Sequence, residues 1–471
     1  MIYNSLNFIV LFPFVFLLFH AIPAQFGRMR GVYLLLVSYL LYIQWRPAYA
    51  LVLLGVTAVT WLTALLVPLT RHPKRLLALG VTLALLPLFF FKYLDFAGEA
   101  VSRALAMIGL QFHLNGLNWA IPVGISFFTL QALGYLWDVY CGRQEAEHDF
   151  LAYALFVSFF PCILAGPICR APSLLPQLKE TCRPFDPGKA TEGLRMLLWG
   201  MFMKVVVADR VALYVDTVLG SYVNYTGMTC LAASLLYSVQ IYSDFAGYSL
   251  MAAGVGRLLG FDLPDNFRRP YFAVSVTDFW RRWHISLSTW LKDYIYIPLG
   301  GNRCPKLRSY WNVLVTFLVS GIWHGANWTF VVWGLLHGIS QVIEKMMGQQ
   351  KCNYGWLGRS VKTAITFLFV TFAWIFFRMP TLSDACNVIT RIFDTSLQKT
   401  IYSPGGTATL YMLLAVGLMV VKDTVGEAFG EKRLPFHSGR RMVRWISYLA
   451  VLVLILLCGV FSSDQFIYAN F

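Results

Sequence analysis

The chain repeats long apolar runs that carry almost no charge. Leu6–Ile22, Gly31–Trp45, Ala48–Leu69 and Leu76–Phe91 follow one another near the N-terminus. Most approach the roughly 20 residues that an α-helix needs to cross a bilayer. In hydrocarbon every backbone N–H and C=O must find a partner within the protein, so such runs fold as helices or close into a barrel. A barrel needs alternating segments of about ten residues, and the sequence shows no such alternation. Charged residues make up 13% of the 471 positions and hydrophobic ones 58%, against roughly 25% charged in soluble domains. The fold expected is all-α and polytopic in a membrane.

Loop charge sets the topology. The first three loops hold Arg28 and Arg30, then Arg46, then Arg71, Lys74 and Arg75. Lys and Arg accumulate on the cytoplasmic side, so the first and third loops are placed inside and the N-terminus outside. An interfacial stretch near Ala100–Leu110 precedes a span at Trp119–Tyr140. Later spans are read at Trp311–Asn327, Trp328–Glu344, Thr363–Phe377, Leu410–Val421 and Ile446–Phe461, with the basic loops Lys345–Lys362 and Lys422–Arg444 inside. The total is about eleven or twelve spans. The first apolar run lacks the positive leader of a signal peptide and is expected to be retained.

The middle is less regular. Pro161, Gly166 and Pro167 interrupt Leu151–Ile168, and Arg170, Lys179, Arg183 and Lys189 follow. A re-entrant or broken segment is expected, since irregular backbone is tolerated at membrane depth only under cover of protein or a water-filled cavity. Thr191–Ala208, with Glu192, Arg195 and Lys204, reads as an amphipathic helix on the inner surface. Asp244 stands between two apolar runs, Cys230–Ile241 and Phe245–Phe261. It is expected to mark a short turn, to pair with an arginine or to orient a histidine. The whole is read as one membrane domain, 1–471, with N-terminal spans at 1–140, a core with re-entrant segments at 150–345 and C-terminal spans at 360–471.

The formal net charge of +15 does not imply a nucleic-acid partner, because the basic residues lie in short loops between spans. The nine cysteines have no metal-ligand spacing and are read as buried reduced thiols. No bound metal or cofactor is expected. The bilayer itself is the first partner.

Chemistry concentrates in Asp278–His337, which holds three of the eight histidines. Ionisable groups at membrane depth are costly and mark candidate sites. His324 ends an apolar run beside Trp323. Asn327 and Trp328, three and four positions on, would share its face if the helix continued. A neutral imidazole there suits a general base; a histidine hydrogen-bonded between helices is the alternative. His284 follows Asp278, Arg281, Arg282 and Trp283, and a continuous helix would pair it with Trp280 and Ser288. A histidine in a basic interfacial surface is its alternative. His337, about 20 Å from His324 along a continuous helix, reads as packing. His20, His72, His113, His148 and His437 lie at loops or span ends. There is no GxSxG elbow, P-loop or HExxH. That leaves a histidine-assisted transfer from an activated donor, or transport.

The blocks Asp278–Ser288, Asp293–Arg303, Gly321–Asn327 and Trp333–Gly338, in this order, resemble the membrane-bound O-acyltransferase family. Gln240–Gly247, Gly166–Arg170 and Trp374–Arg378 extend the resemblance over nearly the whole chain. It is closest to the branch containing the membrane subunit of bacterial alginate O-acetylation. The resemblance implies His324 as the active-site histidine and His284 as the second motif histidine. Asp278, Arg281, Arg282, Trp283, Trp323, Asn327 and Asp244 are then candidate substrate-binding residues. It implies an acyl thioester co-substrate (acetyl-CoA or an acyl carrier protein) on the cytoplasmic side and a polysaccharide or peptidoglycan acceptor outside the bacterial cytoplasmic membrane. An extracytoplasmic SGNH-like partner is expected to complete the transfer. D-alanyl transfer to teichoic acid and a non-enzymatic acyl or glycan transporter are the alternatives.

Overall fold

The structure, a computed structural model, describes residues 3, 5–110, 120–164, 166–182, 184–348, 355–394, 400–461 and 467. His113, Trp119 and Arg183 lie outside the described residues. Among those described the chain is all-helical, with one isolated bridge between Tyr225 and Thr400 and no strand. Six helical stretches are long and apolar enough to cross a membrane: Ala24–Ile43, Pro47–Leu69, Pro73–Met107, Trp356–Arg378, Gly406–Phe429 and Arg441–Cys458. The protein is a multi-pass membrane protein.

The helices fall into two compact units. The first comprises the described residues of Met1–Gly193 with Ala252–Pro264. It contains α1 (Leu6–Ala21), α2 (Gly27–Ile43), α3 (Pro47–Leu66), α4 (Pro73–Leu88), α5 (Leu94–Met107) and α6 (Ile125–Tyr140). It continues with α7 (Phe150–Ser158), α8 (Phe160–Ile163) and α9 (Ala171–Lys179). Local chemistry sets the helix starts. Ser5 Oγ accepts from Phe8 N at 3.2 Å to cap α1, and Pro47 and Pro73 occupy the first turns of α3 and α4, where a missing N–H costs nothing. Pro87 sits inside α4 and a π-helical turn, Phe89–Tyr93, follows it.

The expected break in Leu151–Ile168 is present. The helix stops at Phe159, restarts as α8, and an irregular stretch runs through Gly166 and Pro167, with these residues buried. Neighbouring hydroxyls satisfy the freed backbone: Ser38 Oγ accepts from Phe160 N at 3.2 Å, and Tyr3 Oη donates to Pro161 O at 3.0 Å. Gly124 caps α6 at φ 76°, and a Cβ there would lie 2.0 Å from Ile163 O, so no other residue fits.

The second unit comprises Leu194–Met251 and Asp265–Ile467. Two helices, α10 (Pro187–Met201) and α12 (Gly227–Leu258), have residues in both units. The second unit also contains α11 (Asp209–Gly220), α13 (Val276–Arg282), α14 (Ile285–Leu291), α15 (Lys306–His324) and α16 (Trp328–Met346). It ends with α17 (Trp356–Arg378), α18 (Leu382–Ile392), α19 (Gly406–Phe429) and α20 (Arg441–Cys458).

Two expectations fail here. Thr191–Ala208 is not a surface helix throughout: α10 ends at Met201, and Phe202–Ala208 forms a π-helical turn whose residues are all buried. Asp244 is not in a turn: α12 runs unbroken through it for 32 residues. One contact explains both. Lys204 Nζ lies 2.6 Å from Asp209 Oδ1 and 2.7 Å from Asp244 Oδ1, all three side chains being buried. Opposite charges brought together can stay in the interior where either alone could not. Among the described cysteines, Cys162, Cys169, Cys230 and Cys458 are buried as expected, whereas Cys141, Cys182 and Cys386 are exposed.

Candidate functional site

All the candidate residues lie in the second unit. A tight hairpin of α15 and α16 carries His324. The two backbones meet at glycine: a Cβ on Gly321 would lie 2.3 Å from Phe330 O, and one on Gly334 would lie 2.4 Å from Phe317 O. Gly334 and Gly338 form the small-xxx-small spacing that lets helices approach closely in lipid. The hairpin turns at Gly325, which is extended (φ −169°, ψ 152°). Asn327 then caps α16, its Oδ1 accepting from Thr329 N at 3.1 Å and its Nδ2 donating to Pro380 O at 2.6 Å.

This corrects the expectation that Asn327 and Trp328 share a helical face with His324. The helix ends at His324 itself, so Asn327 holds the turn and Trp328 is exposed. His337 is likewise brought near His324 by the hairpin. Trp333 packs on both, at 4.9 Å from the His324 ring and 5.0 Å from the His337 ring.

His324 is buried among aromatic rings. Trp323 lies at 4.9 Å, Trp333 is perpendicular at 87°, and Phe377 lies at 5.3 Å. Trp323 also packs on His284, with centroids 6.1 Å apart. One indole therefore contacts both motif histidines, although they are separated in sequence by most of the polar stretch and all of α15. His337 accepts at Nδ1 from Trp280 Nε1, 3.2 Å away, a packing arrangement that fits its expected role.

His284 is neither helical nor on the surface. It lies between α13 and α14 with φ 43° and ψ 53°, and it is fully buried. A left-handed conformation is unfavourable for a residue with a Cβ. His284 and Arg269 are the two non-glycine residues with positive φ among those described. Backbone bonds between their two segments hold the geometry: Arg268 N donates to Arg282 O, and Ile285 N to Asn266 O, both at 2.9 Å.

The charged candidates around His284 serve largely as braces. Ser275 Oγ caps α13 by accepting from Asp278 N at 3.0 Å, and Asp278 Oδ2 accepts from Val274 N at 3.2 Å. Glu344, on α16, accepts from Val276 N and Thr277 N, a carboxylate placed at the positive end of α13. Arg282 donates to Asp278 at 3.2 Å and to Glu427 on α19 at 3.0 Å. Burial alone would lower the Arg282 pKa, but these carboxylates raise it overall. Glu427 also meets Arg269 and Arg359. Trp283 is fully buried between Phe279 and Trp374, at 5.4 and 5.0 Å. Asp244 pairs with Lys204 and accepts from Ile467 N at 2.8 Å, so a lysine and a backbone amide stand where an arginine or a histidine was expected.

Arg281 has a different setting. It lines a cavity of about 440 Å³ with Trp280, Ser288, Lys292, Gln341 and Lys345 among its walls. Three cationic residues line one space, the Lys345 ammonium being held there by Tyr296, Asn302 and Ser309. Trp280 connects the cavity to the histidine cluster, packing on Trp333 at 5.7 Å. No group of three or more potential metal ligands occurs among the described residues.

Sequence reasoning missed Asn266, Glu344 and Glu427. Asn266 and Glu427 act on the Asp278–Ser288 block and Glu344 on Val276 and Thr277 just before it, and none sits in a recognisable motif. The polar residues Asn266, Glu344 and Glu427 beside or within apolar helices were the available signal.

Comparison with known proteins bears on these residues. Residues 142–381 match the sequence profile of the membrane-bound O-acyltransferase family. A protein of Pseudomonas aeruginosa described as a probable alginate O-acetylase is 38% identical over 399 residues, covering 84% of this chain and 75% of that one. A peptidoglycan O-acetyltransferase of Helicobacter pylori is 37% identical over 389 residues, 76% of this chain and 72% of that one. A teichoic acid D-alanyltransferase of Bacillus subtilis is 25% identical over 306 residues, 63% and 75% of the two chains.

Proposed function

Since this chain belongs to the membrane-bound O-acyltransferase family and is an O-acyltransferase, we propose that it moves an acetyl group from a cytoplasmic thioester towards an extracytoplasmic polysaccharide, with His324 as the general base. The setting would be the bacterial cytoplasmic membrane, with the N-terminus outside. The contact of both motif histidines with Trp323, in a buried aromatic cluster, is the observation that carries this reading.

In the proposed step His324 takes the proton of an acceptor hydroxyl as its oxygen attacks the thioester carbonyl. The C–O bond forms, the C–S bond breaks, and the proton is returned to the departing thiolate. The indoles and Phe377 keep bulk water from the imidazole, which protects the thioester from hydrolysis. His284 would position the donor or relay a proton. The cavity bearing Arg281, Lys292 and Lys345 is suited to the phosphates of acetyl-CoA or an acidic carrier. Asp278 and Arg282 support that wall rather than the ligand.

The acceptor hydroxyl would belong to an alginate-like glycan or to peptidoglycan, the substrates in the names of relatives at 38% and 37% identity. An SGNH-like extracytoplasmic partner would complete delivery. The D-alanyl alternative rests on the weaker 25% relative. Purified protein given labelled acetyl-CoA and a glycan acceptor should release free thiol and form an acetyl ester on the glycan without any membrane gradient. Failure with acetyl thioesters, together with D-alanine released from the envelope by mild alkali, would overturn the acetyl assignment.

A further inference from the structure

Asn266 is buried, with 3% of its surface exposed, and it touches His284 in a way that decides where the proton on that ring sits. Asn266 Oδ1 lies 3.1 Å from His284 Nδ1, 3.3 Å from Ser286 N and 2.9 Å from Ser286 Oγ. Its Nδ2 lies 3.0 Å from Ser249 Oγ on α12. The backbone N–H of Ser286 can only donate, so the amide atom facing it must be the oxygen. The same oxygen faces His284 Nδ1, and two acceptors cannot form a hydrogen bond. Nδ1 must therefore carry the proton, and in the neutral ring the lone pair falls on Nε2.

We propose that Asn266 is a positioning residue that fixes His284 as the Nδ1–H tautomer and so presents Nε2 as a base or acceptor. The consequence for turnover rests on the acyltransferase reading; the tautomer itself does not. Backbone and side chain have separable parts. Asn266 O accepts from Ile285 N at 2.9 Å and helps to hold the left-handed backbone of His284, whichever side chain is present. The amide oxygen selects the proton position. A carboxylate at the same place would still accept from Nδ1, whereas an isosteric alkyl group would not.

The test has two arms on the full-length protein in detergent. In the first, protein labelled with ¹⁵N-histidine is observed by NMR, the His284 signals being those lost in His284→Ala. Wild type should show a protonated Nδ1 and an unprotonated Nε2, Asn266→Asp should keep that pattern, and Asn266→Leu should lose it. A wild-type ring protonated on Nε2, or an unchanged pattern in Asn266→Leu, overturns the proposal. The wild-type spectrum alone decides if the leucine variant does not fold.

In the second arm, acetyl transfer is measured at varied thioester concentration. Asn266→Leu should lower kcat by about tenfold or more, as loss of the correct tautomer does in other histidine-dependent enzymes, with the donor KM within about twofold. Asn266→Asp should restore most of the rate. On a His284→Ala background Asn266→Leu should cost nothing further; losses that multiply would mean a general structural role and overturn the proposal. A wild-type protein inactive with acyl thioesters would instead count against the proposed function and leave the spectroscopic arm standing.

Discussion

Lys204 and Asp244 form an ion pair at 2.7 Å in the buried interior of the second unit, with side-chain exposures of 1% and 2%. Asp209 shares the same ammonium at 2.6 Å. The pair fastens the π-helical turn after α10 to the middle of α12. Through Asp244 Oδ2 it also holds the backbone at Ile467. A carboxylate that sequence placed among candidate site residues is thereby accounted for by packing.

Breaking this cluster should unfold the protein rather than slow it. Lys204→Met leaves two buried carboxylates without their cation, and removing one partner of a buried pair costs roughly 3–5 kcal/mol. The expected result is a clearly lower unfolding midpoint and yield in detergent, with unchanged transfer activity per folded molecule. An unchanged midpoint would show that the cluster contributes nothing.

The cationic cavity predicts a different signature. Arg281→Ala removes one of the three cationic residues lining it and should raise the KM for an acetyl-CoA donor by about tenfold. That equals about 1.4 kcal/mol, just below the roughly 1.5–3 kcal/mol of a hydrogen bond to a charged group. The kcat should be nearly unchanged, and raising salt should shrink the difference. A kcat loss with constant KM would place Arg281 in the chemistry instead.

The α15–α16 hairpin should tolerate no side chain at its contact. Gly321→Val puts branched carbons against Phe330 O, where even a Cβ would sit at 2.3 Å. Overpacking of this kind costs about 1–3 kcal/mol. Because His324 lies one turn further along α15, the surviving folded protein should also transfer more slowly. Thermal unfolding and a rate per folded molecule test both parts; wild-type values in both would show that the close approach is dispensable.

Much of this was legible in the sequence, and the reasons differ by residue. Apolar runs announced the membrane helices, because their signal is local. Trp323 and His324 share a helix end, so their adjacency needed no tertiary information. Pro161, Gly166 and Pro167 announced the broken segment through their own backbone limits. Asp244 misled because its neutralising partner, Lys204, lies on a different element. Asn266 and Glu427 stood out only as polar residues near apolar helices; their partners, His284 and Arg282, lie 18 and 145 residues away in sequence. The left-handed His284 could not be foreseen from its residue type, and the helical pairing expected for it failed on that one backbone angle.

The proposed role of His324 as the base of an acyl transfer is tested most directly by one substitution. His324→Ala, compared with wild type at equal amounts of folded membrane protein, should lower acetyl transfer by roughly 10²- to 10⁴-fold while donor binding is retained. Transfer at the wild-type rate by the folded variant would contradict the account.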